Sequence, residues 1–173
     1  MQPTLNKAIF LDRDGVLNDE IGDYIIDLND FVVSPGVPES LARLKAAGYY
    51  LIVVTNQAGI AKQLYDALHV TACHDKLQAS CNQLIDAFYC APGHPSVSES
   101  LSRKPGSLML EKAMARFYLD PTQSWIIGDR LRDLEAGARV GVRGILVGHS
   151  EAYATTPYAV DLTAATDLIL AGG

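Results

Sequence analysis

Two aspartates at alternate positions, Asp12 and Asp14, stand where the apolar run Ala8–Leu11 breaks into Gly15. Residues i and i+2 of an extended chain point the same way, so both carboxylates share one site at a strand's carboxyl end. Carboxylates that close repel unless a proton or a cation intervenes. The pair therefore points to a metal, to phosphoryl chemistry, or to both. A solvated acidic turn is the plainer alternative, because Asp and Gly are common turn residues.

Three further groups could complete a phosphoryl site. Thr55-Asn56-Gln57 follows the apolar Leu51–Val54, and a hydroxyl with successive backbone N–H groups can hold phosphate oxygens. A Thr/Asn helix cap would use the same residues. Asp129 follows Trp125-Ile126-Ile127-Gly128, with Asp133 four residues on. That pattern fits a turn with a cap as well as an acid on the same rim; Asp133 either orients a metal's water shell or simply favours a helix N-terminus. Arg103-Lys104-Pro105 closes a polar stretch. Lys104 would neutralise a nucleophile and a phosphoryl group, although exposed Arg-Lys pairs are ordinarily surface.

Phosphate monoesters hydrolyse so slowly that an enzyme must supply up to ~10²¹-fold acceleration. The site needs a nucleophile, a leaving-group acid, a cation and donors for the equatorial oxygens. Asp12 could attack phosphorus to form an aspartyl-phosphate. Asp14 could protonate the leaving alkoxide and then activate water. Mg²⁺ prefers hard oxygens and keeps several waters, so Asp12, Asp129 and a backbone carbonyl would suffice for it.

Positioning these groups requires a sheet. The apolar runs predict strands at Ala8–Leu11, Tyr50–Val54, Ala87–Cys90, Trp125–Ile127 and Gly144–Val147. Amphipathic stretches between them predict helices near Pro38–Ala47, Leu68–Asp86, from Ser107 onward, and Leu131–Val140, with a last helix around Leu168-Ile169-Leu170. The alternation predicts an α/β fold: a three-layer, Rossmann-like parallel sheet with helices on both faces. Right-handed crossovers then bring all the strands' carboxyl ends to one rim. The whole chain, 1–173, reads as one domain. Two insertions stand out: Asn18–Pro35, expected as a small hairpin over the first strand's tip, and Ala91–Gly106, a Pro/Gly/Ser-rich surface loop.

Of the 173 residues, 49% are hydrophobic and 20% charged, with a net charge of −6. Its 14 Lys and Arg form no basic block, which argues against nucleic-acid and anionic-membrane partners. Three cysteines, Cys73, Cys81 and Cys90, do not look like a disulfide framework. No secretory signal opens the sequence, and no stretch approaches the ~20 apolar residues of a membrane span. A cytoplasmic monomer acting on a small molecule is expected.

Taken together and in order, these groups resemble the haloacid dehalogenase superfamily of phosphohydrolases. Asp12-Arg13-Asp14-Gly15-Val16 matches its first motif, Thr55 the second, Lys104 the third, and Gly128-Asp129-Arg130-Leu131-Arg132-Asp133 the fourth. The resemblance implies Asp12 as nucleophile, Asp14 as general acid/base, Thr55 and Lys104 on the phosphoryl group, and Mg²⁺ held by Asp12, Asp129 and the Asp14 backbone carbonyl. The longer strings Asp12–Asn18, Thr55–Ala61 and Arg103–Gly106 look like the branch that removes the 7-phosphate of D-glycero-D-manno-heptose 1,7-bisphosphate for lipopolysaccharide-type glycans. The histidinol-phosphate phosphatases are related and share the mechanism. Members of this branch lack a large cap domain. The branch implies that Arg103 meets a second phosphate, that Glu20, Gly22 and Tyr24 contact the sugar, and that Asn56 and Gln57 also line the substrate site. It usually carries a zinc loop with Cys-x-His and Cys-x-Cys. Here Cys90-Ala91-Pro92-Gly93-His94 has the wrong spacing, and Ser100-Leu101-Ser102 replaces the later pair, so no structural zinc is expected. A receiver-like phosphate-sensing module would need a phosphorylatable Asp but not Asp14, which favours the enzyme.

Overall fold

The fold grows from β1, Lys7–Leu11, whose residues Ala8 to Leu11 are all inaccessible to solvent. The structure is a computed structural model describing residues 5–96, 100–148 and 156–172. Helix α1 covers Val37–Ala46, β2 Tyr49–Asn56, α2 Ala67–Ser80, β3 Ala87–Ala91 and α3 Leu108–Phe117. The remaining elements are β4 Trp125–Gly128, α4 Leu131–Ala138, β5 Arg143–Val147, β6 Tyr158–Ala159 and α5 Leu162–Gly172.

The sheet has six strands in the order β3-β2-β1-β4-β5-β6, all parallel. Period-two alternation divides each strand between two cores. Ile9, Leu11, Leu51, Val53, Ile127 and Val147 face α1, α2 and α5. Ala8, Phe10, Ile52, Val54 and Ile126 face α3 and α4. Strand order reverses direction between β1 and β4, so a crevice opens beyond their carboxyl ends. Asp12 directly follows β1 and Asp129 directly follows β4.

The structure corrects two expectations. The second helix stops at Ser80 rather than continuing to Asp86, because Asn82 and Gln83 adopt left-handed backbone conformations, with φ of 51° and 59°. The Gln78 amide then hydrogen-bonds both the N–H and the carbonyl of Ile85, so the turn is locked by a side chain. The 18–35 insertion is not a hairpin: one antiparallel bridge, Asn18 with Val33, and a 3₁₀ turn at Leu28–Asp30 replace it. Asp27 caps that turn by accepting from the Asn29 N–H. Strand β6, two residues long, carried no usable pattern. Part of the 91–106 loop, residues 97–99, lies outside the described residues.

Candidate active site

Asp12 is the centre of the rim. Its Oδ1 lies 2.9 Å from Lys104 Nζ and accepts from the Arg13 N–H at 2.8 Å. Its Oδ2 has no hydrogen-bond donor among the described residues, which leaves one oxygen free to attack or to bind a cation. Lys104 is 1% exposed, and its Nζ also lies 2.7 Å from Asp133 Oδ1 and donates to the Val54 carbonyl at 2.7 Å. Burial pushes the Asp12 carboxyl up to about 7, against the lowering effect of Lys104, with Asp133 and Asp129 adding to the rise. The two acids push the Lys104 ammonium upward despite its burial, keeping it charged.

Asp12, Asp129 and Asp133 each offer an oxygen, all within 4.8 Å of one another. This crowding of hard oxygens, faced by Lys104 and by Arg130, whose Nε lies 3.1 Å from Asp129 Oδ2, suits a small divalent cation such as Mg²⁺. Burial and Asp133 raise the Asp129 carboxyl's pKa, against the lowering effect of Arg130. Two glycines make the trio possible. A Cβ on Gly15, whose φ is +79°, would sit 2.8 Å from Asp129 Oδ2, and one on Gly128 would sit 2.3 Å from Asp133 Cβ. Asp133 also accepts from the Arg130 N–H at 3.1 Å, so it caps α4 as well as pairing with Lys104. The two uses left open by its spacing are joined here by a third, as the buried counter-ion of Lys104.

Asp14 turns its carboxylate away from that trio. Arg13 forks onto it at 2.8 to 3.1 Å, and the Asn18 and Gln57 amides donate at 3.1 and 2.9 Å. The Arg13 guanidinium lies over the Phe31 ring, which fixes its direction. Thr55 is fully buried and accepts from Gln57 Nε2 at 2.8 Å. Asn56 forms a two-way clamp on Lys104, donating to its carbonyl and accepting from its N–H, each at 3.0 Å. Its amide is thus engaged in placing Lys104 while the residue also borders the cavity.

That cavity, about 290 Å³, is lined by Arg13, Asp14, Glu20, Gly22, Tyr24, Asn56 and Gln57, among others. The structure therefore brings together the predicted residues of the first loop and of the second motif. Arg103 is not part of this lining; its Nη1 donates to the Gly93 carbonyl at 3.1 Å, and burial together with nearby Arg132 lowers its pKa. Ser100 and Ser102 hydrogen-bond each other through their hydroxyls at 2.7 Å. The residues that sequence reasoning passed over are Asn18, Tyr65, Arg130 and Arg132. Arg130 and Arg132 sit inside the fourth motif and Asn18 ends the string Asp12–Asn18, where signals existed; Tyr65 had none.

The family model described as HAD-hydrolase-like matches residues 101–168. A D-glycero-D-manno-heptose-1,7-bisphosphate 7-phosphatase of Chlorobaculum tepidum is 35% identical over 161 residues, covering 84% of this chain and 81% of that protein. The chain belongs to the haloacid dehalogenase family of hydrolases. The D-glycero-beta-D-manno-heptose-1,7-bisphosphate 7-phosphatase of Haemophilus influenzae is 39% identical over 147 residues, covering 80% of this hydrolase and 79% of its own chain. The crystal structure of D,D-heptose 1,7-bisphosphate phosphatase from B. bronchiseptica, complexed with magnesium and phosphate, matches with a TM-score of 0.86 at 29% identity. It covers 98% of this chain and 100% of that one. No helix among the described residues of this hydrolase is long and apolar enough to cross a membrane.

Proposed function

We propose that this hydrolase removes the 7-phosphate of D-glycero-D-manno-heptose 1,7-bisphosphate through an aspartyl-phosphate, acting as one domain on a small sugar bisphosphate in the cytoplasm. The observation that carries the reading is Asp12 itself, with one oxygen held by Lys104 and Arg13 and the other without a donor among the described residues. The similarity to heptose-bisphosphate phosphatases over about four-fifths of the chain supports the substrate.

Asp12 attacks phosphorus; the bond from phosphorus to the sugar oxygen breaks, and its electron pair leaves with that oxygen. Asp14 gives the oxygen a proton. Asp14 then takes a proton from water as the water attacks phosphorus, and cleavage of the P–O bond to Asp12 frees the carboxylate and orthophosphate. Lys104 and Thr55 border the equatorial oxygens, and Lys104 offsets the charge on Asp12. Mg²⁺, held by Asp12, Asp129 and the Asp14 carbonyl with Asp133 behind them, would supply electrostatic neutralisation of the phosphoryl group. Stripping the protein with chelator is expected to remove activity and Mg²⁺ readdition to restore it; metal analysis is expected to find no stoichiometric zinc.

A second reading, hydrolysis of histidinol phosphate by the same steps, draws support from Asp19, Glu20 and Asp23 around the cavity, which suit a cationic amino alcohol. The deciding experiment measures kcat/KM with Mg²⁺ for both anomers of the heptose bisphosphate and for histidinol phosphate. A preference of ~10²-fold for one bisphosphate anomer, about 2.7 kcal/mol in the transition state, upholds the first reading. The reverse preference moves the enzyme to histidinol phosphate.

A further inference from the structure

The Tyr65 hydroxyl donates to Gln57 Oε1 at 2.7 Å. On its other side, Gln57 spends its amide nitrogen on two acceptors, Asp14 Oδ2 at 2.9 Å and Thr55 Oγ1 at 2.8 Å. Gln57 is 2% exposed, and its backbone N–H is fixed to the Ala91 carbonyl at 2.8 Å. A primary amide presents two donors at one end and an acceptor at the other, so its neighbours decide which end faces which group. Thr55 and a protonated Asp14 could each donate as well as accept, and they do not fix the choice alone. Tyr65 does. Its hydroxyl donates to Gln57 Oε1, and burial pushes the phenol up to about 12, so that the proton stays.

The ring is placed as deliberately as the hydroxyl. A Cβ on Gly59 would fall 2.3 Å from two Tyr65 ring carbons, so only glycine lets the ring lie there. Tyr24 meets the ring edge-on, with centroids 6.3 Å apart, and His69 lies against it at 5.3 Å. His69 Nε2 is in turn 2.8 Å from the Ile25 carbonyl. Tyr65 thus joins the 19–25 rim loop to the amide that touches Asp14.

We propose that Tyr65 is a positioning residue for leaving-group protonation: through Gln57 it keeps an amide donor aimed at Asp14 and Thr55. The inference deepens the proposed function and rests on Asp14 as the leaving-group acid. Without the hydroxyl the Gln57 amide is free to turn over, its carbonyl faces Asp14, and the proton is no longer directed at the departing oxygen. A sugar alkoxide needs that proton. A p-nitrophenolate leaving group, stable as the anion, needs it far less.

The test compares Tyr65→Phe with the unaltered full-length chain, saturated with Mg²⁺, on heptose 1,7-bisphosphate and p-nitrophenyl phosphate. Here kcat/KM reports the steps up to phosphoryl transfer. The expected loss is about 30-fold for the sugar phosphate and at least tenfold smaller for the aryl phosphate, a fraction of the ~10²–10⁴-fold that acid catalysis contributes as a whole. Gln57→Leu is expected to show the same leaving-group bias, and Tyr65→Phe added to it is expected to cost little more. Equal losses on both substrates, or no loss on either, overturn the proposal, as does full additivity of the two substitutions. Asp14→Asn separates the two claims. If it leaves sugar-phosphate turnover intact, the acid assignment itself falls; if it abolishes turnover while Tyr65→Phe shows no bias, only the role of Tyr65 falls.

Discussion

The floor and the rim of the crevice are built to opposite standards. On the floor, Asp12, Lys104 and Asp133 are at most 5% exposed, and Lys104 reaches both acids at under 3 Å. On the rim, Arg130 and Glu20 face each other at 3.8 Å with side chains 57% and 39% exposed. Buried charges are tolerable only in a geometry that satisfies all of them, so the floor has one arrangement. An exposed ion pair is worth ~0–1 kcal/mol and can yield to a ligand at little cost. Under the proposed mechanism, bond making falls to the stiff region and selection to the compliant one.

The most severe break of the floor is Asp12→Asn. It keeps the shape but removes the proposed nucleophile, and kcat is expected to fall by ~10³-fold or more, with no phosphoenzyme trapped on rapid quench. Retained turnover with a trapped phosphoenzyme would assign the nucleophile elsewhere. Lys104→Met is next. It strands two buried carboxylates, and breaking a buried pair costs ~3–5 kcal/mol, so the denaturation midpoint should drop sharply along with activity. A midpoint within error of the parent would show that Asp12 and Asp133 do not depend on Lys104.

How far each region could be read from the sequence follows the same division. The floor residues lie at strand ends, where an apolar run stopping at an acid is a local signal: Leu11 before Asp12, Ile127-Gly128 before Asp129. Lys104 was found through its motif, but its clamp by Asn56 joins positions far apart in the chain and has no local signature. Tyr65 on Gln57 and Asn18 on Asp14 span only eight and four residues, but neither pair lies in a helix or strand whose periodicity would join them. The strands of the fold were legible because both of their faces are buried. The end of α2 was not, since Cys81 and Leu84 continue the apolar spacing past the point where Asn82 leaves the helical region. The 18–35 loop misled for a similar reason: its buried Ile25 and Phe31 pack under the rim without pairing as strands.

The rim is probed by Arg103→Ala. Arg103 has no carboxylate partner among the described residues and is tethered only through Gly93. Loss of its charge is expected to lower kcat/KM about 10- to 100-fold for the heptose bisphosphate and only slightly for a monophosphate, with the melting temperature little changed. Equal losses on both substrates would remove Arg103 from second-phosphate recognition and place it with the floor instead.

The smallest effect sharpens the comparison from behind the site. His74 of α2 stacks on Phe88 at 4.3 Å, with its Nε2 buried and unpartnered among the described residues. Burial, reinforced by the Arg13 charge, pushes its pKa from 6.5 down to about 4, against a weaker opposing pull from Asp14. Above pH 6.5 the imidazole is neutral in both the folded and the unfolded chain, and it adds no pH dependence. As pH falls from 6.5 toward 4, the unfolded chain takes up a proton that the folded one refuses, so stability is lost across that window. Discounted for partial exposure, the loss is about 1–2 kcal/mol. His74→Phe is expected to flatten that part of the stability-against-pH curve in urea titrations while leaving the acids of the floor to set whatever slope remains. A curve as steep as the parent's would place the titrating groups on the floor alone. The flattened curve would show that a buried imidazole stacked on Phe88, and not only the acids of the floor, sets the stability of the fold in that window.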